Sequence, residues 1–296
     1  MSGKKREGGL RIGAHYKESR PGKPLVTIVT VVRNARDELL TTLKSVLNQT
    51  YDNIEYIIID GASSDGTVEL IEAHDGEVDY WISEPDSGPY DAMNLGIDLA
   101  SGEWINFMNA GDSFNDPDVV KDVFTAVPSQ TDFIYGHHLY VLPGRPPQRV
   151  EAADFDQLWR EMKAADFSLR WLRGIPCHQS QFIKTRRLKA DKFDLSFKIA
   201  ADHNFMFSLY AATPYFFNTR RVIAVYNGGG MSQNNHIRCL REQWRIIKKY
   251  QKSLRTDIFF LGVIKLVLKA RRNIPGKIIR TIDVVPGWIK NLFRSN

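Results

Sequence analysis

The sequence predicts an α/β protein: a mixed, mainly parallel sheet flanked by helices, with a basic helical C-terminal extension. Three observations predict it. Short apolar runs rich in β-branched residues, LVTIVTVV from Leu25 and IEYIIID ending at Asp60, read as strands covered on both faces. Segments with apolar residues at helical spacing alternate with these runs. Residues 236–296 carry fifteen basic and three acidic side chains, interleaved with apolar ones.

The elements follow in order. Residues 1–24 hold seven basic and two acidic side chains with Gly-rich stretches, Pro21 and Pro24, and read as a flexible basic arm. The domain is expected over 25–235. After the Leu25 strand, Leu39, Leu40, Leu43, Val46 and Leu47 mark a helix over Arg36–Gln49. The second strand ends in the polar turn GASSDGT, and Thr67–His74 reads as the next helix, with Asp65 as its cap. Tyr80–Ile82 is a third strand, Asp91–Ala100 a third helix, and Glu103–Met108 a fourth strand closing at NAGD. Such alternation implies right-handed crossovers and a parallel sheet. Ligands then sit beyond the carboxyl ends of the strands, where Asn34, Asp60, Asp86 and Asp112 fall. Further on, strands are expected near Phe133–Tyr135 and Val222–Tyr226, with helices over Phe155–Ala165 and Ala201–Ala211. His137 and His138, neighbours on a strand, point to opposite faces and cannot act together. The tail, 236–296, opens with a basic helix from Ile237, followed by an apolar one over Ile258–Lys269.

Composition narrows the function. A hydrophobic share of 43% over 296 residues is that of a globular protein with a sizeable core. The net charge of +6 is divided unevenly, with both ends basic and residues 25–235 at −11. An acidic body argues against nucleic acid as partner. Cys177 and Cys239 make no disulfide framework and fit a reducing compartment. The N-terminus lacks the apolar core of a secretory signal, and no apolar run reaches the ~20 residues of a membrane span. The expected location is cytoplasmic, peripheral at the inner face of a membrane. Helices packing on the domain or forming a dimer would give the same tail pattern, but the lopsided charge favours a membrane surface.

The order TIVTVVRN, SVLNQTY, IIIDGASSDGT, GPYDAMNLGIDLASGEWINFMNAGD resembles family 2 glycosyltransferases of the GT-A fold, over roughly Leu25 to Ser232. The closest likeness is to bacterial members that build surface polysaccharides. The resemblance implies a seven-stranded sheet and an inverting transfer from a nucleoside-diphosphate sugar, by family habit UDP-linked. The acceptor would be a hydroxyl of a glycan or a lipid-linked acceptor. It places Asn34, Asp60, Asp86 and Asn94 near the donor, although Asp60 also suits ordering of its turn. A second acid often follows Asp60, and here Gly61 stands there. In NAGD, Asn109 and Gly111 occupy the positions of two usual aspartates. Asp112 is therefore assigned the divalent cation, Mg2+ or Mn2+, with turn formation as the alternative. Asp202 in IAADHNFMF matches the general base, and a helix N-terminal acid would look the same. His178 is placed on a loop near substrate, or as a packed loop histidine. Gly229 and Gly230 resemble a loop near the diphosphate or acceptor. Two other readings compete: a nucleotidyltransferase, for which VVRNARDE lacks the glycines, and a non-catalytic scaffold binding nucleotide or glycan through a degenerate metal motif.

Overall fold

A computed structural model describes residues 5–155, 157, 160, 176–212, 215–228, 235–250, 252 and 254–272. The chain divides into two compact units, Met1–Ala152 with Pro176–Gly229, and Ala153–Ile175 with Gly230–Asn296.

The first unit is built on the predicted apolar runs. Strand β2 (Val26–Val32) is buried at every position, and β3 (Ile54–Asp60) at all but its first. They pair in parallel, from Val26 opposite Ile54 to Val32 opposite Asp60. Helices α1 (Arg36–Leu47), α2 (Thr67–Glu72) and α3 (Pro89–Leu99) link β2, β3, β4 (Tyr80–Ser83) and β5 (Trp104–Phe107). Each expected element of this half is present within a few residues of its predicted bounds. Pro89 opens α3 in its first turn, where a missing N–H costs nothing. Asp65 accepts from the Thr67 backbone N–H at 3.1 Å, but the capping position is held by Gly66 and not by Asp65 as expected, so the acid closes the turn just ahead of the helix.

The chain winds from β2 outward through β3 to β4, then returns to place β5 on the other side of β2. That reversal makes the carboxyl ends of β2 and β5 a topological switch point, the place where such sheets open a crevice for ligands. Asn34 follows β2, and Asn109–Asp112 follow β5, so the predicted residues flank it.

Beyond β5 the sheet becomes mixed. Strand β9 (Gln181–Lys184) pairs antiparallel with both β5 and β7 (Phe133–Val141), and β10 (Phe216–Asn227) runs parallel to β7. Among the described residues the sheet has ten strands, not the seven implied by resemblance. The difference is three short pieces: β1 (Arg6–Gly8), β6 (Ser113–Phe114) and β8 (Gln148–Val150). Helix α4 (Val119–Ala126) buries Val119, Val120, Val123 and Phe124, while α5 (Thr185–Ala190) and α6 (Ala201–Ala212) follow β9. His137 and His138 are both buried on β7. His137 Nδ1 accepts from the Ala152 N–H, and burial holds the His138 imidazole down at about 4.

Strand β1 corrects the flexible-arm expectation. Arg6–Gly8 pairs antiparallel with β4, and Arg11 forms an ion pair with Glu55, which is 1% exposed. Lys17 lies 2.8 Å from the buried carboxylate of Asp79. Burying an unpaired carboxylate is expensive, so the acids in β3 and before β4 draw the basic N-terminal segment onto the sheet edge.

The second unit contains α7 (His236–Tyr250) and α8 (Leu254–Arg272), the two helices expected in the tail. They pack through Trp244 and Phe260, whose rings stack at 6.3 Å, and Trp244 donates to Asp257 at 2.7 Å. The expected Phe155–Ala165 helix lies largely outside the described residues.

Candidate active site at the sheet switch point

Two carboxylates, Asp112 and Asp202, face a single short turn. Residues His178–Ser180 form one turn of 3-10 helix entering β9, and Asn106 of β5 pins it by donating to the Gln179 and Gln181 carbonyls at 2.9 and 2.8 Å. Gln179 then donates to Asp112 Oδ2 at 2.5 Å, and the ring of His178 meets Asp202 Oδ2 through Nδ1 at 3.3 Å. One turn therefore joins residues on three separate elements.

Asp112 is 5% exposed, and the Asn227 backbone N–H donates to its Oδ1 at 3.0 Å. Burial pushes its carboxyl up to about 6, against the opposing pull of the Gln179 and Asn227 hydrogen bonds and of His178. Gly111 adopts φ +98°, a region that favours glycine, so the backbone of this turn disfavours an aspartate there. Thr42 on α1 holds the turn by donating to the Asp112 carbonyl at 2.6 Å.

Asn109 turns its amide to His178 Nε2, donating at 2.9 Å. With Nε2 accepting, the ring proton sits on Nδ1 and points at Asp202. Asp202, 9% exposed at the start of α6, is held on its other oxygen by the Tyr90 hydroxyl at 2.7 Å. Burial alone would raise its carboxyl, but the neighbouring His203 and His178 and the hydrogen bonds from His178 and Tyr90 outweigh it. Asp202 therefore stays well below the usual carboxylate range and is ionised at neutral pH.

The remaining expected residues divide. Asn34, at φ +49°, accepts from the Ser64 N–H at 2.8 Å and shapes the loop after β2. Asp60 is fully buried, and its oxygens are taken up by Ser63 and by Ser83 at 2.6 Å, so it orders its own turn, the alternative to the donor contact expected of it. Asn94 clasps the backbone of Phe193, donating at 2.9 Å and accepting at 3.0 Å. Asp86 accepts from the Gly88 N–H at 2.8 Å and lines a cavity of about 380 Å³ with Glu84, Asp91, Asp98 and Lys192. A lining this acidic accepts hydrogen bonds from hydroxyl and N–H groups and repels phosphate. A Cβ on residue 61 would lie 2.5 Å from Asp86 Oδ2, so the Asp86 carboxylate fills the space that the missing second acid would need. Gly229 and Gly230 lie outside the described residues.

Among the described residues no three His, Cys, Asp or Glu side chains gather to hold a metal ion. The oxygens present nonetheless suit a hard cation. Asp112 could supply one anionic ligand, and Asn109 Oδ1 and Gln179 Oε1, on the same loop and the turn that meets it, are buried without a hydrogen-bond partner. Such a set is incomplete by itself.

Comparison with known proteins decides the family. The Glycosyl transferase family 2 profile matches residues 27–208. The chain belongs to glycosyl transferase family 2. It is 36% identical over 190 residues to an uncharacterized glycosyltransferase of Mycobacterium tuberculosis, covering 62% of this chain and 68% of the relative. It is 29% identical over 219 residues to a PGL/p-HBAD biosynthesis glycosyltransferase of Mycobacterium bovis, covering 71% and 79%. Among solved structures, a mannosyltransferase from Pyrobaculum calidifontis in complex with GDP-Man and Mn2+ superposes with TM-score 0.60 at 15% identity, covering 92% of this chain and 81% of that one. S. aureus TarS 1-349 in complex with UDP superposes with TM-score 0.58 at 15% identity, covering 86% and 76%. The fold is the GT-A glycosyltransferase fold.

Sequence reasoning missed Tyr90, Gln179 and Asn227. Tyr90 sits beside Asp91 in the singled-out segment GPYDAMN, and Gln179 follows His178, so proximity to those motifs was the available signal.

Proposed function

We propose that this family 2 glycosyltransferase transfers a sugar, with inversion, from a UDP-linked donor to a hydroxyl of a glycan or lipid-linked acceptor in polysaccharide biosynthesis. The observation that carries the proposal is the turn His178–Ser180, which holds one carboxylate with each of two successive side chains.

In this reading Asp112 lies on the diphosphate side. It is the anionic ligand of a divalent cation, with the amide oxygens of Asn109 and Gln179 alongside. That cation, when bound, offsets the charge growing on the departing diphosphate. Asp202 lies on the acceptor side. As the acceptor oxygen bonds to the anomeric carbon, Asp202 takes its proton, and the carbon–oxygen bond to the diphosphate breaks with its electron pair. Tyr90 and His178 are positioning residues that aim the Asp202 carboxylate. Asp86 and the acidic cavity beside it accept hydrogen bonds from the base or ribose, with Asn34 and Asn94 shaping the loops around them.

The relatives support the donor class: one neighbour's structure contains UDP and another GDP-Man with Mn2+. The test is calorimetric titration with UDP and with GDP, with and without Mn2+, on the wild type and on Asp112→Asn. Metal-enhanced binding of one nucleotide that the substitution abolishes is the expected result. If neither nucleotide binds under any condition, the proposal fails and a non-catalytic scaffold is the better account.

A further inference from the structure

The outer face of α8 is apolar and cationic at once. Leu254, Ile258, Leu261 and Leu268 are exposed by 75%, 62%, 45% and 42%. Arg255, Lys265 and Lys269 are also exposed, and none of the three has a carboxylate partner among the described residues. At ~100° per residue all seven fall within an arc of roughly 140°. The opposite side of the helix carries the buried Thr256, Phe260 and Ile264. The helix's one acid, Asp257, lies just outside this arc and is already engaged: it accepts from Trp244 Nε1 at 2.7 Å and lies 3.4 Å from Lys248 Nζ.

We propose that this face of α8 lies in the interface of an anionic lipid surface, with the four aliphatic side chains in the headgroup–acyl boundary and the three cations on the phosphates. A fourfold run of large aliphatic side chains left in water along one stripe calls for a cover. The stripe is not suited to a second copy of this chain. Leu254, Ile258, Leu261, Lys265 and Leu268 recur at four- and three-residue steps, so a parallel self-paired seam would bring Lys265 against its own counterpart and an antiparallel one would bury it against the aliphatic side chains, with no acid within the stripe itself to pair with it. In a lipid interface the same lysine extends its ammonium to the headgroups while its stem stays apolar. No described helix is long and apolar enough to cross a membrane, and an in-plane position needs none. The inference rests on exposure and charge alone, and does not depend on which reaction the first unit carries out.

The experiment is flotation of the full chain with vesicles of phosphatidylglycerol in phosphatidylcholine, and with phosphatidylcholine alone. The expected result is binding to the anionic vesicles that weakens as salt rises and is roughly tenfold to a hundredfold weaker on the neutral ones. The triple variant Leu254→Ser, Ile258→Ser, Leu261→Ser alters only exposed positions and should keep the wild-type circular dichroism and melting curve while losing flotation. Lys265→Glu with Lys269→Glu should lose it on anionic vesicles too. Flotation of the triple variant equal to wild type would place the attachment elsewhere in the chain and overturn the proposal. Absence of flotation on every vesicle overturns it as well. So does a dimer, seen by light scattering, that the triple variant converts to monomer, because the face would then meet a second copy.

Discussion

Replacing Asp112 with asparagine should raise the stability of the unliganded protein while removing the proposed metal-dependent nucleotide binding. The carboxyl ordinarily titrates at 3.8, and burial moves it to about 6 in the fold. A folded-state value above the unfolded one means that the fold binds the proton more tightly, so stability falls as pH rises from about 4 to about 6 and stays low above. At about 1.4 kcal/mol per tenfold change, the buried charge costs on the order of 2–3 kcal/mol at neutral pH. Asparagine is isosteric and neutral. It can keep accepting from the Asn227 N–H, and its new N–H can donate to Gln179 Oε1, an oxygen now without a partner, after the Gln179 amide rotates. In EDTA at pH 7.5 the variant should melt several degrees above wild type, at roughly 2–4 °C per kcal/mol. Near pH 4 the two should converge, because the wild-type carboxyl is then protonated. With UDP and Mn2+ the order should reverse, since only the wild type gains from binding. A variant that melts below wild type in EDTA at pH 7.5 would refute the reasoning and make Asp112 a structural clasp between the β5 loop and β10.

Further outcomes follow from other contacts in the fold. Asp202→Asn should lower transfer by roughly 10²–10⁴-fold with UDP binding intact, and Tyr90→Phe should lower kcat with little change in donor KM; loss of nucleotide binding in either would place them on the donor side instead. Because Asp202 titrates below its ordinary 3.8 in the fold, its ionised form stabilises the protein above that pH. The contribution is lost as pH falls further, so Asp202→Asn should flatten the acid limb of a fluorescence-monitored unfolding curve. Gly61→Ala should displace Asp86, whose Oδ2 lies 2.5 Å from the new Cβ, and weaken nucleotide binding by about tenfold; an unchanged Kd by calorimetry would remove Asp86 from the donor site. Arg11→Ala leaves Glu55 buried without its cation and should cost about 3 kcal/mol in urea unfolding, whereas an unchanged midpoint would mean that the N-terminal segment does not dock as described.

The succession β2-α1-β3-α2-β4-α3-β5 was legible in the residues because the information is local. LVTIVTVV and IEYIIID declare buried strands by composition, and the spacing of Leu39, Leu43 and Val46 declares a helix face. The same locality placed Asn34, Asp60, Asp86 and Asp112 at strand ends, since each closes an apolar run. It could not say which of these side chains a ligand would find available. Asp60 and Asp86 look alike in sequence, yet Ser63 and Ser83 enclose the first, while the second reaches the cavity beside Gly61. The chain running from Asn109 through His178 and Asp202 to Tyr90 joins positions far apart in sequence, and the N-terminal segment is held both by pairing with β4 and by the buried acids Glu55 and Asp79, which take its cations. Periodicity is a property of neighbouring residues, so the sequence by itself determined the elements and their order. A buried polar group takes whichever partner the folded backbone delivers to it, so only the tertiary structure decided which side chains form the site.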